Sequence, residues 1–219
     1  MSFNSPIAVI TDVDGLILDS ESWTLKAWGL ACKELGFELP HAVGVSGVGK
    51  GRSQFKLQLS KHFGADFDVE SATKLRIEIG DAMIAKEGLL FRPGAEEFIE
   101  TIRKRGIPFG LATSTARLDA LKRLHCSGVN LEAFQAMTFG DEITHLKPDP
   151  EIYLTTAEKL GVSPSEVIAF EDSSAGVSAA LAAGMRVVCI PDMEKHSPAK
   201  SEKLLLLDSL HDYLGLLKN

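Results

Sequence analysis

Five apolar runs of four to six residues recur along this chain, and none is long. They occupy residues 7–11, 107–112, 136–139, 167–170 and 187–190. Runs this short, with no polar alternation, predict strands buried on both faces. Helical patterns lie between the later ones, at residues 150–160 and 176–183. Strand and helix in repetition predict a parallel sheet with helices packed on each side, an α/β fold of the Rossmann-like kind. The interval 21–90 breaks the pattern. It reads as helices only, over 21–35, 53–63 and 69–86, with Phe55, Leu59, His62 and Phe63 at helical spacing in the second. No strand separates these helices, so they read as an insertion after the first strand. Phe91-Arg92-Pro93-Gly94 has the Pro-Gly punctuation of a return hinge. The expected organisation is a core of residues 1–19 and 91–219 and a helical cap of residues 20–90.

Length fits that division, since 219 residues exceed one domain of roughly 150. Charge fits it too. Residues 20–90 hold 9 basic and 9 acidic side chains, so the net −7 of the chain lies wholly in the remainder. An acidic body argues against nucleic acid as a partner. The four-residue apolar runs at 7–10 and 204–207 are far below the roughly 20 residues of a membrane helix, and residues 1–6 lack a signal-peptide pattern. Cys32, Cys126 and Cys189 are odd in number and have no Cys-x-x-Cys spacing. A reducing cytoplasm is the expected location.

The chemistry sits where the apolar runs end. The first run continues into Asp12-Val13-Asp14-Gly15, and the fourth into Glu171-Asp172-Ser173. In open α/β sheets ligands bind at the carboxyl ends of strands. Two carboxylates 4 Å apart repel by roughly 4 kcal/mol at an effective dielectric near 20, so a paired acidic tip calls for a cation. Oxygen ligands in an open site suit Mg²⁺. Each pair also reads as a helix cap, and the cap reading weakens when two such tips occur in one sheet. The second run ends in Thr113-Ser114-Thr115, hydroxyls that with free backbone N–H groups make an anion cradle or a helix cap. Lys147 precedes Pro148-Asp149-Pro150, where the prolines stiffen a segment able to aim a fixed charge at a phosphate. Together these tips supply a carboxylate nucleophile, a cation site and an anion cradle.

The sequence resembles the haloacid dehalogenase superfamily, in its phosphatase and phosphomutase branch with a helical cap. The residues that carry the resemblance are Asp12-Val13-Asp14-Gly15-Leu16-Ile17-Leu18-Asp19, Arg92-Pro93-Gly94-Ala95, Thr113-Ser114, Lys147-Pro148-Asp149-Pro150, Glu171-Asp172-Ser173 and Ala182-Ala183-Gly184-Met185. The resemblance implies Asp12 as the nucleophile that becomes an aspartyl-phosphate. Asp14 would be general acid and then base, and its backbone carbonyl a Mg²⁺ ligand. Thr113 and Lys147 would hold the phosphoryl oxygens, with Ser114 beside them. Asp12 and Asp172 would bind Mg²⁺, with Glu171 a further ligand or a holder of its water. Residues 44–51 form a Gly-rich stretch where the family places its specificity loop, and Arg52 after it falls where related mutases carry a cap arginine and is the expected substrate contact. The implied activity is Mg²⁺-dependent hydrolysis of a small phosphorylated metabolite, such as a sugar phosphate or nucleotide-like monophosphate, by a monomer or weak homo-oligomer.

Two other readings stand beside it. A β-phosphoglucomutase-type isomerase would share every core motif, but those mutases carry a histidine twelve residues after the nucleophile, where this chain has Thr24. A non-enzymatic binding protein on the same fold is disfavoured by the complete catalytic set. Arg76 reads as a helix-surface charge, and Trp23 and Trp28 as core packing of the first cap helix, with Trp23 able to line the site. The six histidines show no ligand spacing and are expected to take no part.

Overall fold

In the computed structural model of the chain, residues 3–47, 52–192 and 201–217 are described, without the side chains of Arg52 and Ser53. The apolar runs form strands, labelled in chain order β1 (Ala8–Thr11), β2 (Phe109–Thr113), β3 (Ala136–Phe139), β4 (Val167–Glu171), β5 (Arg186–Cys189) and β6 (Leu204–Leu206). Among the described residues they make one parallel sheet in the order β3-β2-β1-β4-β5-β6. All residues of β1, β2, β4 and β5 are buried, as both-face coverage requires.

The pattern misplaces some strand ends. Apolarity ends at Ala112 and Phe170, but pairing carries β2 on to Thr113, opposite Phe139, and β4 on to Glu171, opposite Cys189. Hydrogen bonding to a neighbour, not side-chain character, decides those last positions. The same cause adds β6, whose part-exposed leucines pair with β5 at the sheet edge. The pattern shows them only as an apolar run too short for a membrane.

The helices are α1 (Ser20–Glu34), α2 (His41–Gly47), α3 (Arg52–Phe63), α4 (Val69–Glu87), α5 (Ala95–Lys104), α6 (Arg117–Ser127), α7 (Glu151–Leu160), α8 (Ser174–Ala182) and α9 (Leu210–Leu217). Contacts divide the chain into two compact units, Met1–Leu18 with Leu90–Asn219, and Asp19–Leu89. In the sheet unit, Phe98 of α5 meets Phe109, Phe170 and Tyr213 edge-on or tilted, and all four rings are fully buried. Side chains of that size contribute roughly 1.5–3 kcal/mol each on burial. Leu18 bridges to Phe91, and the Arg92 N–H donates to the Ile17 carbonyl at 2.8 Å, which ties the two connecting segments together.

The helical unit is held differently. Trp28, Cys32, Phe55, Leu59, Phe67 and Ala72 form its core, with Trp28 edge-on to Phe55 at 5.3 Å. Gly44 and Gly47, in the stretch where the resemblance implies a specificity loop, are instead buried in α2. A Cβ on Gly44 would overlap the Leu25 side chain, and one on Gly47 the Phe55 ring. Absence of side chain is what lets this helix approach its neighbours. No helix among the described residues is long and apolar enough to cross a membrane.

Candidate active site

Strand β1 lies between β2 and β4, where the strand order reverses, so its carboxyl end opens into the crevice such sheets use for ligands. Asp12 is the first residue past that end and is 6% exposed. Its N–H donates to the Phe170 carbonyl of β4 at 3.0 Å. Its two carboxylate oxygens accept from the Val13 N–H and from Lys147 Nζ, each at 2.5 Å. The Lys147 ammonium uses all three donors: Asp12, Glu171 Oε1 at 2.5 Å and the Ala112 carbonyl of β2 at 3.1 Å. Lys147 stands in the long β3–α7 connection, and this network fixes it at the tips of three strands.

Glu171 is fully buried and saturated. Its Oε1 also accepts from the Tyr153 hydroxyl at 2.5 Å, and its Oε2 faces the Asp172 N–H and the Ser173 N–H and hydroxyl, at 3.0–3.3 Å. Both oxygens therefore meet protein donors, which favours holding Lys147 over direct ligation of a metal. A Cβ on Gly176 would overlap this carboxylate, so the small residues after the acidic pair make room for Glu171.

Asp14 has different partners. Its oxygens accept from the Thr115 hydroxyl at 2.7 Å and from Arg123 Nη1 at 2.6 Å. Thr115 in turn donates its N–H to the Thr113 hydroxyl at 3.1 Å. Thr113 is buried at the end of β2, and Ser114 beside it is exposed. Arg123 is a site residue the sequence reading missed. It lies on α6 outside every motif, and only the fold brings it to a residue 109 positions earlier.

Burial is the largest influence on Asp12 and lifts its carboxyl. Lys147 pulls it down, Glu171 and Asp14 push it up, and the outcome is about 7. Burial pulls the Lys147 ammonium down, but Asp12 and Glu171 outweigh it and hold it above the ordinary lysine value. Both shifts have one root. A single ammonium serves two buried carboxylates, so it stays charged while Asp12 is left short of compensation. Burial and then Glu171 also push the Tyr153 phenol well up. Burial, Glu171 and Asp172 raise the Cys189 thiol to about 12, which leaves it unreactive.

The donor set fits a hard divalent cation. Asp172 is 6% exposed, and a Cβ on Gly15 (φ +83°) would overlap its carboxylate. The glycine thus brings Asp172 against the loop that carries Asp12 and Asp14. The candidate ligands there, the carboxylates of Asp12 and Asp172, offer oxygen, as Mg²⁺ prefers.

Residues in the helical unit fare unevenly. Residues 48–51 and the Arg52 side chain lie outside the described residues, so the expected substrate contact has no described geometry. Arg76 is not the surface charge its position suggests. It is 9% exposed, with its guanidinium 5.5 Å from the Trp23 ring centroid and a 3.2 Å bond to the Thr24 hydroxyl. A flat cation against an aromatic face can be buried where an ammonium would not be. His145, Asp149 and Glu151 bring ligand atoms within 4.8 Å of one another. Glu151 there accepts the Thr144 and His145 N–H groups and faces the His145 ring, contacts that hold the segment ahead of α7.

An acidic pair at one strand tip, a second pair beside it and a lysine bridging the two are a signature as well as a site. The sequence profile of the haloacid dehalogenase-like hydrolases matches residues 8–184. The chain belongs to that family. The candidate phosphatase YhcW of Bacillus subtilis (strain 168) is 34% identical over 218 residues, 93% of this chain and 97% of its own. A phosphorylated carbohydrates phosphatase of Thermotoga maritima is 34% identical over 179 residues, 81% and 82% of the two chains. A crystal structure from Thermotoga maritima, described as a candidate β-phosphoglucomutase, superposes with a TM-score of 0.79 at 30% identity, covering 96% and 98%. These haloacid dehalogenase-like relatives span the sheet and helical units alike.

Proposed function

We propose that the chain is a divalent-metal-dependent phosphatase of small phosphorylated sugars, with Mg²⁺ as the metal and Asp12 as the nucleophile. The observation that carries this is the Lys147 ammonium bonded at once to Asp12 and Glu171. A buried carboxylate held by one fixed cation, at the mouth of a parallel sheet, is oriented for attack on phosphorus.

Asp12 Oδ1 is turned to Lys147, which orients the carboxylate and neutralises part of its charge before attack. Thr113, Ser114 and Lys147 receive the phosphoryl oxygens, and Glu171 keeps the ammonium in place. Asp14 gives a proton to the departing oxygen and later takes one from the attacking water. Thr115 and Arg123 orient it for that work. Asp12, Asp172 and the Asp14 carbonyl would hold the cation, which supplies positive charge to the buried carboxylates and the phosphoryl group. The substrate class follows the phosphorylated carbohydrates phosphatase. The β-phosphoglucomutase-type reading keeps the support of the structural relative, and Thr24, in place of the mutases' histidine, counts against it.

The test is a panel of phosphorylated sugars and nucleoside monophosphates, with phosphate release and isomer formation followed together, in Mg²⁺ and after chelation. Metal-dependent phosphate release from a sugar phosphate is expected. Asp12→Asn should lower it by on the order of a thousand-fold or more, since an amide is a far poorer nucleophile. Wild-type turnover in folded Asp12→Asn protein, or full activity without metal, would overturn the reading. Isomer formation without net phosphate release would transfer it to the mutase.

A further inference from the structure

A fifth carboxylate reaches the same strand tips. Asp192 follows β5 by three residues, and its side chain is only 5% exposed. One of its oxygens, Oδ1, lies 2.6 Å from Nη1 of Arg92. The other, Oδ2, turns toward the nucleophile loop. A Cβ on Gly15 would lie 3.4 Å from it and would overlap Asp172 Oδ2. Asp172 and Asp192 thus converge on one glycine, directly after Asp14. Two buried carboxylates facing one point repel strongly unless a cation lies between or beside them.

The charge count of the site sharpens this. Among the described residues, Asp12, Asp14, Glu171, Asp172 and Asp192 make five carboxylates, against Lys147, Arg123 and Arg92. The formal balance is −2, the complement of one divalent ion. Arg92 and Asp192 cancel each other within it. The pair adds a buried oxygen beside Asp172 without adding net charge. Arg92 is itself anchored, because its N–H holds the Ile17 carbonyl at 2.8 Å. Its side chain reaches the exit of β5 while its backbone grips the nucleophile loop.

Resting on the metal-dependent reading above, we infer that Asp192 is a further residue of the cation site. Through Oδ2 it accepts from a water of the ion's hydration shell, and Arg92 fixes it through Oδ1. Outer partners of this kind orient what the direct ligands hold, and losing one costs about 10- to 100-fold in metal affinity.

The test is calorimetric titration of chelator-stripped protein with MgCl₂, with each variant's thermal midpoint in chelator as the fold control. Asp192→Asn keeps the size and a hydrogen bond to Arg92, and is expected to weaken Mg²⁺ binding roughly ten-fold or more. Arg92→Met leaves the carboxylate but removes the contact that fixes it, so Mg²⁺ should bind it more tightly than it binds Asp192→Asn. Unchanged affinity in Asp192→Asn would overturn the inference. Equal weakening in both variants would also overturn it, because that is what a loop-packing contact would give. Asp172→Asn separates the two levels. It should abolish Mg²⁺ binding, and wild-type binding by that variant would refute the underlying metal assignment, and Asp192 with it.

Discussion

The sheet unit and the helical unit settle their residues by different physics. At the strand tips, identity follows charge and hydrogen bonding. Lys147 spends three donors on three acceptors, and Glu171 fills both oxygens. In the helical unit, identity follows volume. Gly44 and Gly47 have no room for a Cβ, and Phe37, Phe63 and Phe67 pack ring on ring at 4.7–5.1 Å. A substitution at the tips should therefore disturb charge balance and rate together. One in the helices should disturb stability first.

The largest expected effect is at Lys147. Lys147→Met keeps the stem and removes the charge, leaving two buried carboxylates facing each other. Stranding buried charge in this way costs about 3–5 kcal/mol, read as a loss of denaturant midpoint with unchanged slope. Wild-type stability in this variant would mean the tip network is not energetically coupled, and the contrast between the units would fail.

Next comes a pH effect. Asp12 is raised to about 7 from an ordinary value of 3.8. The folded protein therefore binds a proton here more tightly than the unfolded chain does. Stability from this group is present at low pH and is lost as pH rises from about 4 to about 7, with a ceiling of about 4 kcal/mol. In chelator, the midpoint of wild type relative to Asp12→Asn should fall over that window. A difference that stays flat, or rises, would show that Lys147 fully compensates Asp12.

The same contrast explains what could be read from sequence. The strands were legible because burial on both faces removes polar residues, and the motifs because each stands directly after such a run. Arg123 and Asp192 were not legible. Each lies outside the motifs, and its partner is a hundred positions or so away, so only the folded sheet brings them together. Arg76 was misread because helical periodicity reports which face a residue occupies, not whether Trp23 waits there. The glycines of α2 looked like a loop because glycine is a poor helix former, and tight packing overrides that preference.

A smaller effect is expected from Gly47→Ala. The added methyl would overlap the Phe55 ring, which Trp28 holds in place. Overpacking of this kind costs typically about 1–3 kcal/mol. Thermal unfolding should register it, while aryl phosphate hydrolysis well below the midpoint should stay near that of the wild type, since no group at the strand tips is changed. A rate loss larger than the stability loss would show that the helical unit does more than pack.

The smallest expected effect concerns Arg123, and it asks whether a tip residue can act on rate with little effect on stability. Its ion pair with Asp14 is partly open, at 15% and 24% side-chain exposure. Such pairs contribute only about 0–1 kcal/mol to folding. Orientation is another matter. Thr115 and Arg123 both hold the Asp14 carboxylate, and removing Arg123 loosens its orientation. The proposed proton donor then spends less time aimed at the departing oxygen. An alkoxide cannot leave without that proton, whereas an aryloxide can. Arg123→Gln should therefore lower kcat/KM on a sugar phosphate by roughly ten-fold, about the worth of one charge-assisted hydrogen bond. An aryl phosphate should lose less than about three-fold, since the acid matters little there. Arg123→Lys, which retains a donor and the charge, should recover part of the difference. Equal losses on both substrates would show that Arg123 acts through something other than Asp14. No loss on either would make the pair a surface contact, and the division between charge-governed tips and volume-governed helices would then stop at Lys147.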